Sequence, residues 1–286
     1  MRSLLTAGCI AALTGCAIIV TPNDGDVHVR SMFSGDTVVG NGQLAHETRQ
    51  VGNLPALDVN GALQVDVRVG GAPSLDIEAD SNLLPLIRSE VSGGTLRIWV
   101  EGNFHSNNTM RVSYTVPQLS QLRANGSGRV TVSELNGAPL LVNKNGSGTM
   151  QLSGRVGSID AQINGSGQVN ATALQTGNVN ADMNGSGRMN LGAVQGDVLN
   201  VSLHGSGGFQ ANGAAQRVNA HVNGSGGVNL SGLSSQQADL TSNGSGNITA
   251  LVKNSVVAQA NGSGRIMVYG NPAQRNVSGK RVQMMN

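Results

Sequence analysis

The sequence predicts an all-β fold, a right-handed parallel β-helix or β-solenoid with an irregular N-terminal cap, and three observations predict it. The tetrapeptide "NGSG" starts at residues 125, 145, 164, 184, 223, 243 and 261, with "HGSG" at 204, so the corners recur every 18–20 residues. Between these corners apolar and polar residues alternate with a period of two, the pattern of strands with one buried face. The composition fits neither a linker nor a helical bundle: 41 glycines and only 2% aromatic residues accompany 38% apolar residues placed at regular intervals. A fixed period of this length marks units that bury their apolar faces only by stacking on one another.

In chain order, the first element is not part of the fold. "MRSLLTAGCIAALTGC" carries one Arg and then an apolar run too short to span a bilayer, the pattern of a signal peptide over residues 1–16. Its end, Leu13-Thr14-Gly15-Cys16, resembles a bacterial lipobox. That resemblance implies cleavage before Cys16 and acylation of its thiol, with the membrane as a partner reached through the lipid. Ala17 after the Cys implies an outer-membrane address, periplasmic or surface-facing. The two cysteines, Cys9 and Cys16, both lie in this segment, so the mature chain has no disulfide. Residues 17–35 read as a tether.

Residues 36–122 lack the NGSG signature, and acidic residues concentrate there. Alternation persists in "ALDVNGALQVDVRVG" (56–70), "SLDIEA" (74–79), "TLRIWVEG" (95–102) and "MRVSYTVP" (110–117), which read as strands of irregular coils or a cap. Trp99 and Tyr114 are expected to fill its core. A stack needs such an end, because an uncovered coil exposes both an apolar face and strand edges.

Residues 123–272 are the repeat. One run follows each corner, as in Val130 and Val132, Met150 and Leu152, or Met189 and Leu191. A second precedes the next corner, as in Ile159, Ala161 and Ile163, or Val218, Ala220 and Val222. Two strands and two bends per coil are therefore expected, with successive coils parallel and about 4.8 Å apart. Gly supplies the positive φ that a sharp corner demands. The Asn side chains at the corner form a ladder from coil to coil: Asn125, Asn145, Asn164, Asn184, Asn223, Asn243 and Asn261, with His204 as a weaker rung. The second corner, "SGRVG" or "SGLSS", looks looser. Residues 273–286 read as a C-terminal cap or tail.

At this point the chain resembles a known family, the "putative auto-transporter adhesin, head GIN domain" family. The resemblance rests on "VVGNGQLAHETRQVGNLPALDVNGALQVDV" (38–67), "EADSNLLPLIRSEVSGGTLRIWV" (78–100), the GSG ladder and "IMVYGNP" (266–272). It implies a parallel β-helix-like stack and an adhesive role, and it brings no catalytic residues with it.

The remaining chemistry is sparse. A formal net charge of +2 and the absence of any basic run longer than "GKR" argue against nucleic acid. Of His28, His46, His105, His204 and His221, only His204 and His221 come near ligand spacing, in adjacent coils but at different corners, and the corners lack the Asp of calcium-binding repeats, so neither a metal nor a cofactor is expected. The corner serines recur in every coil, which suits a structural role better than a nucleophile. Outward positions form two rows of small polar groups, Asn180, Asn200 and Asn219 in one, Asn170, Asn190, Gln210 and Asn229 in the other. These rows are the candidate binding surface, for an envelope glycan or a protein. The expected function is a lipid-anchored cell-envelope binding or structural module of an adhesin-like kind. The alternative is a polysaccharide-active lyase or hydrolase, which would require clustered carboxylates; Asp160, Asp182 and Asp239 look scattered.

Overall fold

The computed structural model describes residues 18–19, 30–31 and 37–285. Cys16 and the signal segment lie outside the described residues, as does most of the tether. The molecule is a parallel β-solenoid. In the repeat, each coil is one long bent strand: Thr149–Gly165, Gln168–Gly185, Arg188–Gly205, Gly208–Gly224, Gly227–Gly244 and Asn247–Gly262. Pairing stops only at the Ser-Gly half of each NGSG corner. The expected second break occurs in the first coil, at residues 138–139 between Arg129–Gly137 and Leu140–Asn145, and is absent from the six long strands. Ladder pairing instead carries through the second corner with a register irregularity, for example between Leu191 and Ala193 or Gln210 and Asn212. An extra residue bends a strand without ending it, so two expected strands merge into one.

Each coil contributes to two faces, a first face before the NGSG corner and a second face after it. On the first face one inward column runs Leu122, Val142, Ala161, Ala181, Val201, Ala220, Leu240 and Ala258, residue on residue. On the second face Met150, Val169, Met189, Phe209, Val228, Ile248 and Ile266 form another. All are buried. The first column mixes alanines with Leu and Val, and four of its eight side chains are alanine. Each large buried residue contributes about 1.5–3 kcal/mol, and the contribution repeats from coil to coil.

The N-terminal cap folds out of sequence order. On the first face Ile87–Ser92 pairs antiparallel with Thr95–Val100, which lies parallel to Ala56–Asn60, and Gln121–Asn125 follows. On the second face the order is Leu44–Arg49, Ser74–Asp80, Arg111–Val116, Gln64–Val69 and then Arg129–Gly137, the first two pairings antiparallel. Tyr114 fills the cap core as expected, and its hydroxyl donates to the Leu54 carbonyl at 2.8 Å. Burial pushes its pKa up to about 12. Trp99 does not join it: this side chain is half-buried, on the outward side level with Asn60.

At the other end the stack continues past the last NGSG. Gln274–Ser278 pairs parallel with residues 255–259, and Val282–Met285 with Ile266–Tyr269.

Candidate functional site

The eight predicted corners line up in one column. The first Gly of each has a positive φ, from +96° at Gly146 to +145° at Gly262. The second Gly is required for a different reason. A Cβ on Gly148 would lie 2.3 Å from the Gly128 carbonyl oxygen, and one on Gly207 2.4 Å from that of Gly187. The coils approach too closely for any side chain at this position.

Along this column the asparagines form a one-way ladder. Each Nδ2 donates to the Oδ1 of the rung before it: Asn145 to Asn125 at 2.7 Å, Asn164 to Asn145 at 2.9 Å, Asn184 to Asn164 at 3.2 Å. Beyond His204 it resumes, Asn243 to Asn223 at 2.8 Å and Asn261 to Asn243 at 2.9 Å. His204 joins one side alone. Asn223 Nδ2 lies 3.1 Å from its Nε2, and because Asn223 Oδ1 already accepts from Asn243, the imidazole nitrogen is the acceptor. Asn184 and His204 are paired in register, yet no side-chain hydrogen bond joins them among the described residues.

The ladder has a ninth rung that the tetrapeptide search misses. Asn125 Nδ2 donates to Asn60 Oδ1 at 2.9 Å, and Asn60 Nδ2 to Asp58 Oδ1 at 3.0 Å. Asp58 is buried and faces Arg97 at 3.4 Å, so the ladder ends on a carboxylate. The signal was present as "VNGAL", an NG without the GSG.

Both polar rows exist as rows. Asp160, Asn180, Asn200, Asn219 and Asp239 are consecutive register partners on the first face. Asn170, Asn190, Gln210 and Asn229 are consecutive on the second. In the first row, Asn219 Nδ2 donates to Asn200 Oδ1 at 2.8 Å. Asn180 and Asn200 line an open groove of about 500 Å³, with Asp160 beside them and Leu141, Pro139 and Val198 supplying apolar surface. Asn219 is not part of it. Asn190, Gln210 and Asn229 line a smaller depression of about 330 Å³, and Asn170 lies outside. A third groove of about 540 Å³ runs along the second corner over Gly157, Gly177 and Gly196, walled by Asn178, Gln216 and Gln236. Sequence reasoning misses this one because bulges shift the phase there.

The match to protein families decides the kinship. The family described as "Putative auto-transporter adhesin, head GIN domain" matches residues 53–196 and, in a second overlapping match, 182–272. The chain belongs to this family.

Solved structures share the fold of this head GIN domain chain. One, from Parabacteroides merdae and described as a putative adhesin, is 19% identical with a TM-score of 0.64, covering 88% of this chain and 100% of that one. Another, from Parabacteroides distasonis and described as a putative lipid binding protein, is 21% identical with a TM-score of 0.63 over 88% and 100% of the two chains. A third, also from Parabacteroides distasonis and described as a putative adhesin, is 20% identical with a TM-score of 0.57 over 87% and 100%. No curated protein matches.

In this head GIN domain the carboxylates are arranged as follows. Asp182 pairs with Gln162 and Ser202, so it stands diagonally from Asp160 in the neighbouring coil, two residues along. Asp239 shares the row of Asp160 but lies several coils away. Of the three, Asp160 alone lines the first-face groove. Among the described residues, no group of three or more His, Cys, Asp or Glu is placed to hold a metal ion.

One charged side chain sits inside the stack. Lys144 is 2% exposed, in the inward column between Ala124 and Ile163, and Nζ donates to the Asn145 carbonyl at 3.3 Å. Desolvation pushes its pKa down. Asp80, buried in the cap, shows the opposite arrangement. Hydrogen bonds from Ser106 Oγ (2.6 Å) and Asn108 Nδ2 (2.6 Å) favour its charged form and hold its pKa down.

Proposed function

We propose that this head GIN domain protein is a lipid-anchored envelope module that works by binding, with the first-face groove as its contact surface and an uncharged glycan as its ligand. The observation that carries this reading is the groove itself. It sets Asp160, Asn180 and Asn200 in successive coils beside Leu141, Pro139 and Val198. Amides and a carboxylate match sugar hydroxyls, and the apolar residues match the C–H face of a pyranose ring. Spacing supports a sugar over a peptide. Coils repeat about every 4.8 Å, close to the advance of one pyranose unit, whereas an extended peptide advances about 3.3 Å per residue. Hydrolysis would need two carboxylates flanking one sugar, and only one lines the groove. The family name supports adhesion, and the lipobox-like Leu13–Cys16 segment with Ala17 supports an outer-membrane anchor on Cys16.

The test is retention of the full chain, in mild detergent, on immobilised envelope polysaccharide. The double variant Asn180→Lys/Asn200→Lys should lose most retention while keeping its melting temperature. Equal retention of both proteins would remove the groove from the account, and shortening of the polysaccharide would favour the hydrolase reading instead. For the anchor, Cys16→Ser should move the protein out of the membrane fraction; unchanged fractionation would contradict it.

A further inference from the structure

The two ends of the rod differ from its sides in three independent ways. Large exposed apolar side chains gather toward the ends. Among the described residues they are Val39, Leu44 and Val91 at the head, and Val277 and Met285 at the tail, with Val257 on the outward row between Asp239 and Asn276 in the layer before the last. Leu44 and Val91 are each 54% exposed, and Val277 48%. Nothing of the kind lies along the intervening coils.

Both ends also present open strand edges. At the head, Leu44–Arg49 and Ile87–Ser92 each pair on one side only among the described residues. At the tail the same holds for Val282–Met285 and Gln274–Ser278. An open edge is a template for another strand.

Third, the rod is electrically polar. Residues 37–116, which include the cap strand Arg111–Val116, hold eight carboxylates and five arginines, a net negative head. Residues 240–285 hold Lys253, Arg265, Arg275, Lys280 and Arg281 and not one carboxylate. None of these five bases makes an ion pair among the described residues.

From these features we infer that copies of this chain associate head to tail, the basic tail of one on the acidic head of the next. Charge selects this arrangement over its rivals. Tail-to-tail contact sets five bases against five, and head-to-head contact sets acid against acid, each costly. The edges fit as well. On the first face Gln274–Ser278 would meet Ile87–Ser92, which runs opposite to the parallel stack, giving an antiparallel pair. On the second, Val282–Met285 would meet Leu44–Arg49, which two reversals return to the stack's direction, giving a parallel pair. Such a contact is heterologous, so it propagates into open chains and does not stop at a dimer. The inference stands apart from the groove.

The experiment is sedimentation velocity of the full chain in mild detergent. The wild type should form a concentration-dependent ladder of species at low salt that collapses by roughly tenfold in affinity near 1 M salt, where the Debye length is about 3 Å. A head variant, Leu44→Lys/Val91→Lys, and a tail variant, Val277→Glu/Met285→Glu, should each sediment as a monomer with an unchanged melting temperature. Mixed, they should form a one-to-one dimer and nothing larger, because each keeps one good end. A wild type that stays monomeric at low salt overturns the inference. So does a head variant that still dimerises alone, which would reveal tail-to-tail contact. The salt series on the unmodified chain decides the matter should either variant fold poorly.

Discussion

In the repeat, the neighbour of every coil is the coil before it in the sequence; in the cap, the neighbour of Asn60 is Asn125, 65 residues on. The two regions use the same Asn–Gly corner under different constraints. Gly185 and Gly61 have similar backbone angles, φ +116° and +106°. Yet a Cβ on Gly185 would lie 2.5 Å from the Gly165 carbonyl oxygen, whereas one on Gly61 meets nothing within 4 Å. Stacking, not the turn alone, makes glycine indispensable in the repeat. The cap shows how the apolar column is closed: antiparallel strands reverse the chain at its end, which parallel coils cannot do without a long crossover.

The largest effect that tests this contrast is at those two glycines. Gly185→Ala should cost about 3–5 kcal/mol from strain plus collision, and Gly61→Ala about 1–2 kcal/mol from strain alone. Equal shifts in urea midpoint would show that stacking adds nothing. Next is the foot of the ladder. Asp58→Ala leaves the Asn60 amide and the Arg97 guanidinium without their acceptor, and should cost about 2–3 kcal/mol. Asn164→Ala within the repeat should cost about 1 kcal/mol. A reversed order in thermal melts would mean the carboxylate does not terminate the ladder.

A gain is expected inside the repeat. Lys144→Met replaces a desolvated ammonium among Ala124 and Ile163 and should stabilise by about 1–3 kcal/mol at neutral pH. The sign with pH follows from its depressed pKa. The folded state binds fewer protons than the unfolded one between the lowered pKa and the unfolded value of about 10.4, so wild-type stability rises with pH across that window. The advantage of the variant should shrink over the same window; a pH-independent gain would point to packing instead of charge. The smallest effect is His204→Asn, which restores the missing bond to Asn184 and should add about 0.5–1.5 kcal/mol. A loss in calorimetry would show that the imidazole fills a need the amide cannot.

These particulars also show what the sequence made legible. A corner at fixed intervals and a two-residue period admit a single register, so the Asn column, both polar rows and the inward columns could be counted out. Asn60 escaped because its corner lacks GSG and its partner is distant in sequence. Lys144 escaped because "VNKN" reads as a polar run, hiding one inward position. Trp99 was expected in the cap core for its size, but its strand turns it to the outward side beside Asn60. The groove walls at Val198 and Gln216 lie beside bulged second corners, where alternation loses count, whereas Leu141 continues the regular row of Asp160. Of the candidate surface, the rows were legible and the grooves were not, because a groove is set by where strands bend.

The central claim is that the NGSG corners stand in one column, one coil apart. Pulsed double-resonance distances between nitroxide labels test it most directly, with Cys9 and Cys16 replaced by Ala and exposed Ser147 paired in turn with Ser225, Ser245 and Ser263 as Cys. The account predicts separations near 19, 24 and 29 Å, growing by about 4.8 Å per coil. Separations that fail to grow with the number of coils between the labels would contradict it.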